Sequence, residues 1–408
     1  MALVAVEEAL ARLLADVRPR SAETVPLAEA AGRVLAVPVK ALRTQPPFPS
    51  SAMDGYAVRA ADIAAVPRTL KVIGTAAAGR GFAGRVGSGE AVRIFTGAPV
   101  PEGADTVLIQ ENARATGGET IEALEAVAAG RHIRPLGLDF RQGDLLLSGG
   151  RLLDAAALSL AASANHATLE VVGAPLVALI ATGDELRPPG SEPGPDQIIA
   201  SNGYGVAALA SEAGGRVLDL GIVADSRDAI AAAVREAKAA GADVLVTLGG
   251  ASVGDHDLVH AALTTEGMTL DFWKIAMRPG KPLLSGRVGP MRVLGLPGNP
   301  VASLVCSHLF LKPLVARLAG RRHRDAAVTG IVAEAMAAND LRQDYVRARI
   351  EDIDGQLVAS PFAIQDSSML RTLADANGLV VRPPFAPALA AGDACPLLML
   401  TDPLRQAG

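Results

Sequence analysis

The sequence predicts a multidomain α/β protein. A doubly wound, mainly parallel domain is expected, with a β-rich subdomain, an N-terminal helical and linker region and a C-terminal β-rich domain. Three observations carry this expectation. Between Ala174 and Arg324, short apolar runs rich in branched residues alternate with helical periodicity, the pattern of βα units on a parallel sheet. From Leu70 to Leu147, and again after 325, short strand-like runs are separated by Gly and Pro. Finally, Asp243–Leu258 (DVLVTLGGASVGDHDL) joins an apolar strand, expected to be fully buried, to a helix through a loop with almost no side chains. Such a loop lets backbone N–H groups approach an anion, and the helix dipole favours negative charge there. The expected boundaries are 1–45 with 140–173 for the helical and linker region, 46–139 for the β subdomain, 174–324 for the doubly wound domain and 325–408 for the C-terminal domain.

Composition sets the outer limits. The 408 residues leave room for two to four domains, and a chain half hydrophobic and a fifth charged can bury sizeable cores. No run approaches 18 uninterrupted apolar residues, and the N-terminus has no basic segment followed by an apolar core. No membrane span or secretory signal is therefore expected. The two cysteines, Cys306 and Cys395, form neither a disulfide framework nor a metal-ligand spacing, which suits a reducing cytoplasm. A net charge of −5, without basic stretches interleaved with aromatics, argues against nucleic acid as a partner. Arg321-Arg322-His323-Arg324 reads as a solvated linker, and six scattered histidines speak against a His-based metal site.

In chain order, Val4–Val17 has helical periodicity and Leu27–Arg33 is expected to form a second helix. Pro46, Pro47 and Pro49 then forbid regular structure and make a stiff arm that delivers Ser50, Ser51 and Asp54 just before Gly55. Strands are expected at Lys71–Gly74, Ala91–Phe95, Thr106–Gln110 and Thr120–Leu124, with Thr96–Asp105 as a Pro/Gly turn. Arg131–Phe140 leads out of the subdomain, and Asp154–Ala164 is expected to be helical.

In the doubly wound region, strands are expected at Leu176–Ala181, Val217–Val223, Asp243–Leu248, Leu270–Ile275 and Met291–Leu296. Helices are expected at Asn202–Ala213 (with Ser201 or Asn202 as N-cap), Asp228–Ala240, after Asp257, and at Val301–Leu318. Ligands of such sheets bind outside the carboxyl ends of the strands. Those ends carry Thr182, Asp184, Glu185, Asp225, the Gly249–Asp257 loop, Lys274 and Pro297-Gly-Asn-Pro300. Each acid alone reads as a cap or turn residue; together at one sheet edge they point to a phosphate and divalent-cation site. Met277-Arg-Pro-Gly-Lys-Pro282 adds Arg278 and Lys281 on a stiffened loop suited to an oxyanion. The C-terminal unit is mostly strand-like, and its Ile364–Leu370 segment offers Ser367, which reads equally as a helix N-cap.

Taken together, PPFPSSAMDGYAV (46–58), RIFTGAPVPEGADTV (93–107), TGDEL (182–186), SNGY (201–204), LGGASVGDHD (248–257), MRPGKP (277–282) and GLPGNPVAS (295–303) resemble the molybdopterin molybdenumtransferase family, which includes the C-terminal domain of gephyrin. The resemblance spans essentially the whole chain. It implies a molybdopterin-binding type of doubly wound domain and a homodimer with a composite active site. The reaction it implies is insertion of molybdate into adenylylated molybdopterin, with Mg²⁺ and release of AMP. It also implies contacts with a molybdopterin adenylyltransferase and with proteins that mature molybdoenzymes.

The functional positions implied fall on Asp54, Thr96, Asp139, Glu185, Lys274 and Lys281 for catalysis. For substrate binding they fall on Gly249, Gly250, Ser252, Gly254, Arg278, Pro297, Pro300 and Ser367, and for the metal on Asp225, Asp255 and Glu185. Arg278 stands where many members have lysine, Ala251 and His256 depart from a more usual GGVSVGDYD, and Asp366 adds a carboxylate beside Ser367. The residue types suit the chemistry: oxygen ligands for Mg²⁺, and cations with backbone N–H groups for two anionic substrates. Two rival readings remain at this stage. One is an adenylyltransferase or pyrophosphate hydrolase, which residues 174–320 alone allow; the other is a non-enzymatic dimeric scaffold. Tungstate in place of molybdate also stays open.

Overall fold

The computed structural model describes residues 3–249, 258–322 and 327–401. The chain divides into two compact units, one of residues 24–31 and 35–170 and the other of residues 1–23, 32–34 and 171–408.

The first unit is built on a six-stranded sheet in the order Thr106–Ile109, Gly55–Val58, Glu90–Ile94, Arg68–Ala76, Thr120–Ala123, Ala113–Gly117. Strand periodicity sends alternate residues to opposite faces. Ala57, Val92 and Val107 pack into one core, while their neighbours Val58, Ala91 and Leu108 pack into another. The proline-rich arm does not stay outside this sheet, contrary to the expectation of no regular structure. Ser50–Ser51 pairs antiparallel with Ile133–Arg134, and Gly55–Val58 is an inner strand hydrogen-bonded on both sides. The prolines end at position 49, so every later N–H in the arm is free to join a ladder. Gly55 is required there, because a Cβ would lie 2.0 Å from the Leu108 carbonyl oxygen.

Leu27–Arg33 is not a helix. Ala22–Pro26 is a strand, and only Leu27–Glu29 makes a single 3₁₀ turn before Gly32 at φ 69°. The expected helix at Asp154–Ala164 forms as Ala155–Ser163, with the Asp154 carboxylate accepting from the Ala157 N–H at 2.8 Å.

The second unit holds a six-stranded sheet in the order Arg216–Val223, Leu176–Thr182, Val244–Leu248, Met291–Leu296, Leu284–Val288, Met268–Phe272. The first four strands are parallel and the last two pairings are antiparallel, so the sheet is mixed at one edge. The expected Leu270–Ile275 strand is shifted to Met268–Phe272, and Leu284–Val288 is a strand the sequence reading lacked. Val244–Leu248 is buried at all five positions, as an inner parallel strand covered on both faces should be. Val177, Leu179, Val246 and Leu294 pack on one side, and Ala178, Ile180, Leu245 and Val293 on the other. Val6, Ala9 and Leu13 of the Val6–Leu14 helix belong to the first of these cores.

Pro300–Leu318 is α-helical at both ends with a π turn over Ser307–Leu311. It is long and apolar enough to cross a bilayer, but 67% of it is buried within the protein, as befits a core helix. Both cysteines are free and buried.

The C-terminal residues form a further six-stranded sheet, which includes the strand Ala394–Met399. Its long strand Gln343–Ile353 also receives the two-residue strand Met277–Arg278 in parallel register.

Candidate functional site

A cleft of about 940 Å³ opens at the carboxyl ends of the parallel strands. Strand Leu176–Thr182 brings Thr182, Gly183 and Glu185 to it, Arg216–Val223 brings Asp225, and Val244–Leu248 brings Gly249. Met291–Leu296 ends in Pro297-Gly298-Asn299-Pro300 on the same wall. Arg278, Lys281 and, from the C-terminal segment, Arg342, Asp366 and Ser367 complete it. Of the positions implied by the sequence, Glu185, Asp225, Gly249, Arg278, Lys281, Pro297, Pro300 and Ser367 therefore meet in one cleft. Gly250, Ser252, Gly254 and Asp255 lie outside the described residues.

Among the described residues, the acids at the Asp225 end of the cleft have no cation partner. Asp225 has its carboxyl pushed above the usual carboxylate range, first by burial and then by the charges of Asp184 and Glu185. Its own N–H donates to the Asp184 carboxylate at 3.2 Å. Gly183 allows Glu185 to fold back, since a Cβ there would meet its carboxylate at 2.5 Å. Thr182 Oγ1 is buried without a hydrogen-bond partner at this same end. Oxygen-only donors under mutual repulsion fit a hard divalent cation. Among the described residues no group of three His, Cys, Asp or Glu side chains is close enough to hold a metal. Two carboxylates fit Mg²⁺, which keeps several waters and shares substrate oxygens.

The basic end differs from the sequence reading. Arg278 lines the cleft, yet its guanidinium is taken up by protein acids instead of being left for an oxyanion. Nε donates to Asp344 Oδ1 at 2.9 Å, Nη2 to Asp344 Oδ2, and Nη1 lies 3.5 Å from Asp340. The Asp344 hydrogen bonds raise the pKa of Arg278 above its ordinary value. Lys281 is exposed and forms no ion pair among the described residues. Its carbonyl accepts from Ile275 N–H at 3.0 Å, which fixes the loop. Lys274 is half-buried and is not among the residues lining the cleft; its carbonyl accepts from the Val4 N–H at 2.9 Å.

Three polar contacts were missed by sequence reasoning. Ser201 precedes the Asn202–Glu212 helix but makes no side-chain cap, and Asn202 Nδ2 instead donates to the Gly298 carbonyl at 2.8 Å. Asn299 likewise caps nothing, donating to Ser367 Oγ at 2.8 Å, while the Ser367 carbonyl accepts from Val301 N–H at 3.1 Å. Ser367 is therefore tied to the Pro/Gly turn and not a helix cap. Asp366 accepts from the Ser368 N–H at 2.8 Å and hydroxyl at 2.6 Å, which hold its carboxyl below the usual range. A motif of small polar residues signals such a wall only in general terms; the partners of Asn202 and Asn299 lie in distant segments.

In the other unit, Asp54 and Thr96 form a pair. Thr96 N–H and Oγ1 both donate to Asp54 Oδ1 at 2.7 Å. These two bonds, with a smaller pull from Arg93, lower the Asp54 pKa. Arg93 itself lies over the Tyr56 and Phe95 rings, 5.0 Å from each centroid. Asp139 lines a smaller cavity of about 340 Å³ together with Arg134, Ser50 and Gly97.

Three family models match in succession: MoeA N-terminal region (domain I and II) over residues 4–165, Probable molybdopterin binding domain over 178–317, and MoeA C-terminal region (domain IV) over 329–400. The cleft thus lies on a molybdopterin-binding type of α/β domain set within a MoeA-like chain. Molybdopterin molybdenumtransferase of Haemophilus influenzae is 33% identical over 386 residues, covering 93% of this chain and 94% of that protein. Its counterpart in Bacillus subtilis is 35% identical over 392 residues, covering 93% and 90%. The crystal structure of a molybdopterin biosynthesis MoeA protein from Pyrococcus horikosii superposes with a TM-score of 0.80 at 29% identity, covering 98% of this chain and all of that one. The chain belongs to the molybdopterin molybdenumtransferase family.

Proposed function

We propose that the protein inserts molybdate into adenylylated molybdopterin in a Mg²⁺-dependent reaction that releases AMP. The observation that carries this reading is the lining of the cleft, which among the described residues holds unneutralised carboxylates together with an unpaired lysine. An anionic ligand that brings a cation with it satisfies both. Glu185 and Asp225 would hold Mg²⁺, with Asp255 as the further ligand that the family resemblance implies. Bound there, the ion supplies charge neutralisation and polarisation at a phosphoryl oxygen. Lys281 binds the pyrophosphate-linked ligand and stabilises charge as the phosphoanhydride breaks. Asn202 and Asn299 hold the Pro297–Pro300 turn and Ser367 in place, so the wall is set before the ligand arrives.

Asp54, held ionised by Thr96, serves the molybdate side as a positioning or acid/base group, and Asp139 is assigned to the same side. The protein acts as a cytoplasmic homodimer whose composite site draws Asp54, Thr96 and Asp139 from the partner. It exchanges ligands with a molybdopterin adenylyltransferase upstream and with molybdoenzyme-maturation proteins downstream. The deciding experiment is incubation with adenylylated molybdopterin, Mg²⁺ and molybdate, followed for AMP and for molybdenum cofactor. AMP release that ignores molybdate would leave a hydrolase instead, and a light-scattering mass of one chain at full activity would remove the dimer.

A further inference from the structure

We propose that Asp344 is a positioning residue that limits the positive charge of the cleft by clamping Arg278. The inference deepens the proposed function and rests on the cleft taking an anionic substrate. The clamp follows from register. Met277–Arg278 pairs in parallel with the start of Gln343–Ile353, and Arg278 stands opposite Asp344. Their side chains leave the same side of the pair, so the carboxylate meets the guanidinium along its Nε–Nη2 edge. This fork is open to arginine and closed to lysine, which offers a single point charge. Asp340 takes a second edge of Arg278 at 3.5 Å and also pairs with Arg342 at 3.3 Å.

The two arginines and two aspartates cancel, although both arginines line the cleft. Lys281, three residues beyond Arg278, has no such partner among the described residues. The Asp344 side chain is only 13% exposed, against 47% for Arg278, so the acid is the fixed half of the pair and the arginine is held by it.

This arrangement has a kinetic meaning. A reaction whose products, AMP and a pterin phosphate, are both anionic is slowed when its site holds those products too well. With Arg278 compensated, the ligand meets one free ammonium; with Arg278 released, it would meet two cations. Asp344 therefore trades anion affinity for release.

Full-length wild type, Asp344→Asn, Arg278→Met and the double variant should be titrated with AMP and, separately, with inorganic phosphate at low salt, with melting temperatures alongside. Asp344→Asn should tighten both anions by about three- to tenfold, with a steeper salt dependence, and should lower kcat and KM together. In the Arg278→Met background the same change should do nothing. Unchanged affinity in Asp344→Asn, or a shift that survives without Arg278, overturns the proposal. Should Asp344→Asn fail to fold, Asp340→Asn at an exposed position must show the same sign at smaller size. A wild type that does not process adenylylated molybdopterin, while phosphate still shows the Arg278-dependent shift, would remove the proposed reaction and leave the clamp standing.

Discussion

Asp54 and Asp225 are both solvent-reachable carboxylates beside strand ends, in different units of the chain. Asp54 receives two donors from Thr96 and is held ionised. Asp225 has only a backbone hydrogen bond from Asp184, which burial and the charges of Asp184 and Glu185 outweigh, pushing it toward the protonated form. The difference teaches what each site awaits. Asp54 is satisfied as it stands, whereas among the described residues Asp225 has no cation to offset the acids around it, which is what the proposed Mg²⁺ would supply. Residue type does not distinguish the two; their hydrogen-bond partners do.

The largest effect should fall at the acids proposed to hold the cation. Asp225→Asn, or Glu185→Gln, should abolish Mg²⁺-dependent turnover, a loss of several kcal/mol or about a hundredfold and more in kcat. Measured AMP release close to normal would mean these acids are ordinary turn residues. Next comes binding. Lys281→Ala should weaken the adenylate by about ten- to a hundredfold, the size of one charge-assisted contact of about 1.5–3 kcal/mol. Asp54→Ala should bind it within about a factor of ten, or about 1.4 kcal/mol, and accumulate it uncleaved. Equilibrium titration of the two variants decides which of them holds the ligand.

Smaller still is the effect of Thr96→Val, which deletes the hydroxyl donor but keeps the stronger backbone one. The Asp54 carboxyl should rise toward its ordinary value, and the acid limb of the pH–rate profile should move up with it. The sign is definite: a lowered carboxyl contributes stability above its unfolded value near 3.8, and that contribution is lost as pH falls through the folded value. For Asp225 the sign reverses. Its raised carboxyl favours the folded state at low pH, and that advantage is lost as pH rises through the folded value. Metal-free Asp225→Asn should therefore melt slightly higher than wild type at neutral pH, by no more than ~1 kcal/mol because solvent screens these acids. Calorimetry with and without Mg²⁺ tests it, since the ion should stabilise wild type alone.

Much of this was legible in the chain. Parallel strands announce themselves by short apolar runs ending in turn residues, so the chain alone places Glu185, Asp225, Gly249 and Pro297 at one edge. What stayed hidden depends on pairings across long separations. Arg278 looks like a free cation in MRPGKP, and only the ladder to Gln343–Ile353 shows its charge cancelled by Asp344. Asn202 and Asn299 stand where caps belong, and nothing local reveals that they bond Gly298 and Ser367 instead. Leu27–Arg33 misled because its apolar spacing imitates a helix while Gly32 and the adjoining strand dictate otherwise. Sequence period reports which face is buried; it carries no record of the partner.

The short strand Met277–Arg278 hydrogen-bonds to the C-terminal sheet although it is followed directly by the cleft loop of Arg278 to Lys281. A seam of this kind is strong in shear, where its bonds must break at once, and weak in peel, where they break one after another. The Gln343 N–H, bonded to the Ala276 carbonyl at 2.8 Å, lies at the end of that seam. Any opening of this wall must unzip from one end, so deuterium uptake at the Gln343 amide becomes a local gauge of how often the loop lets go.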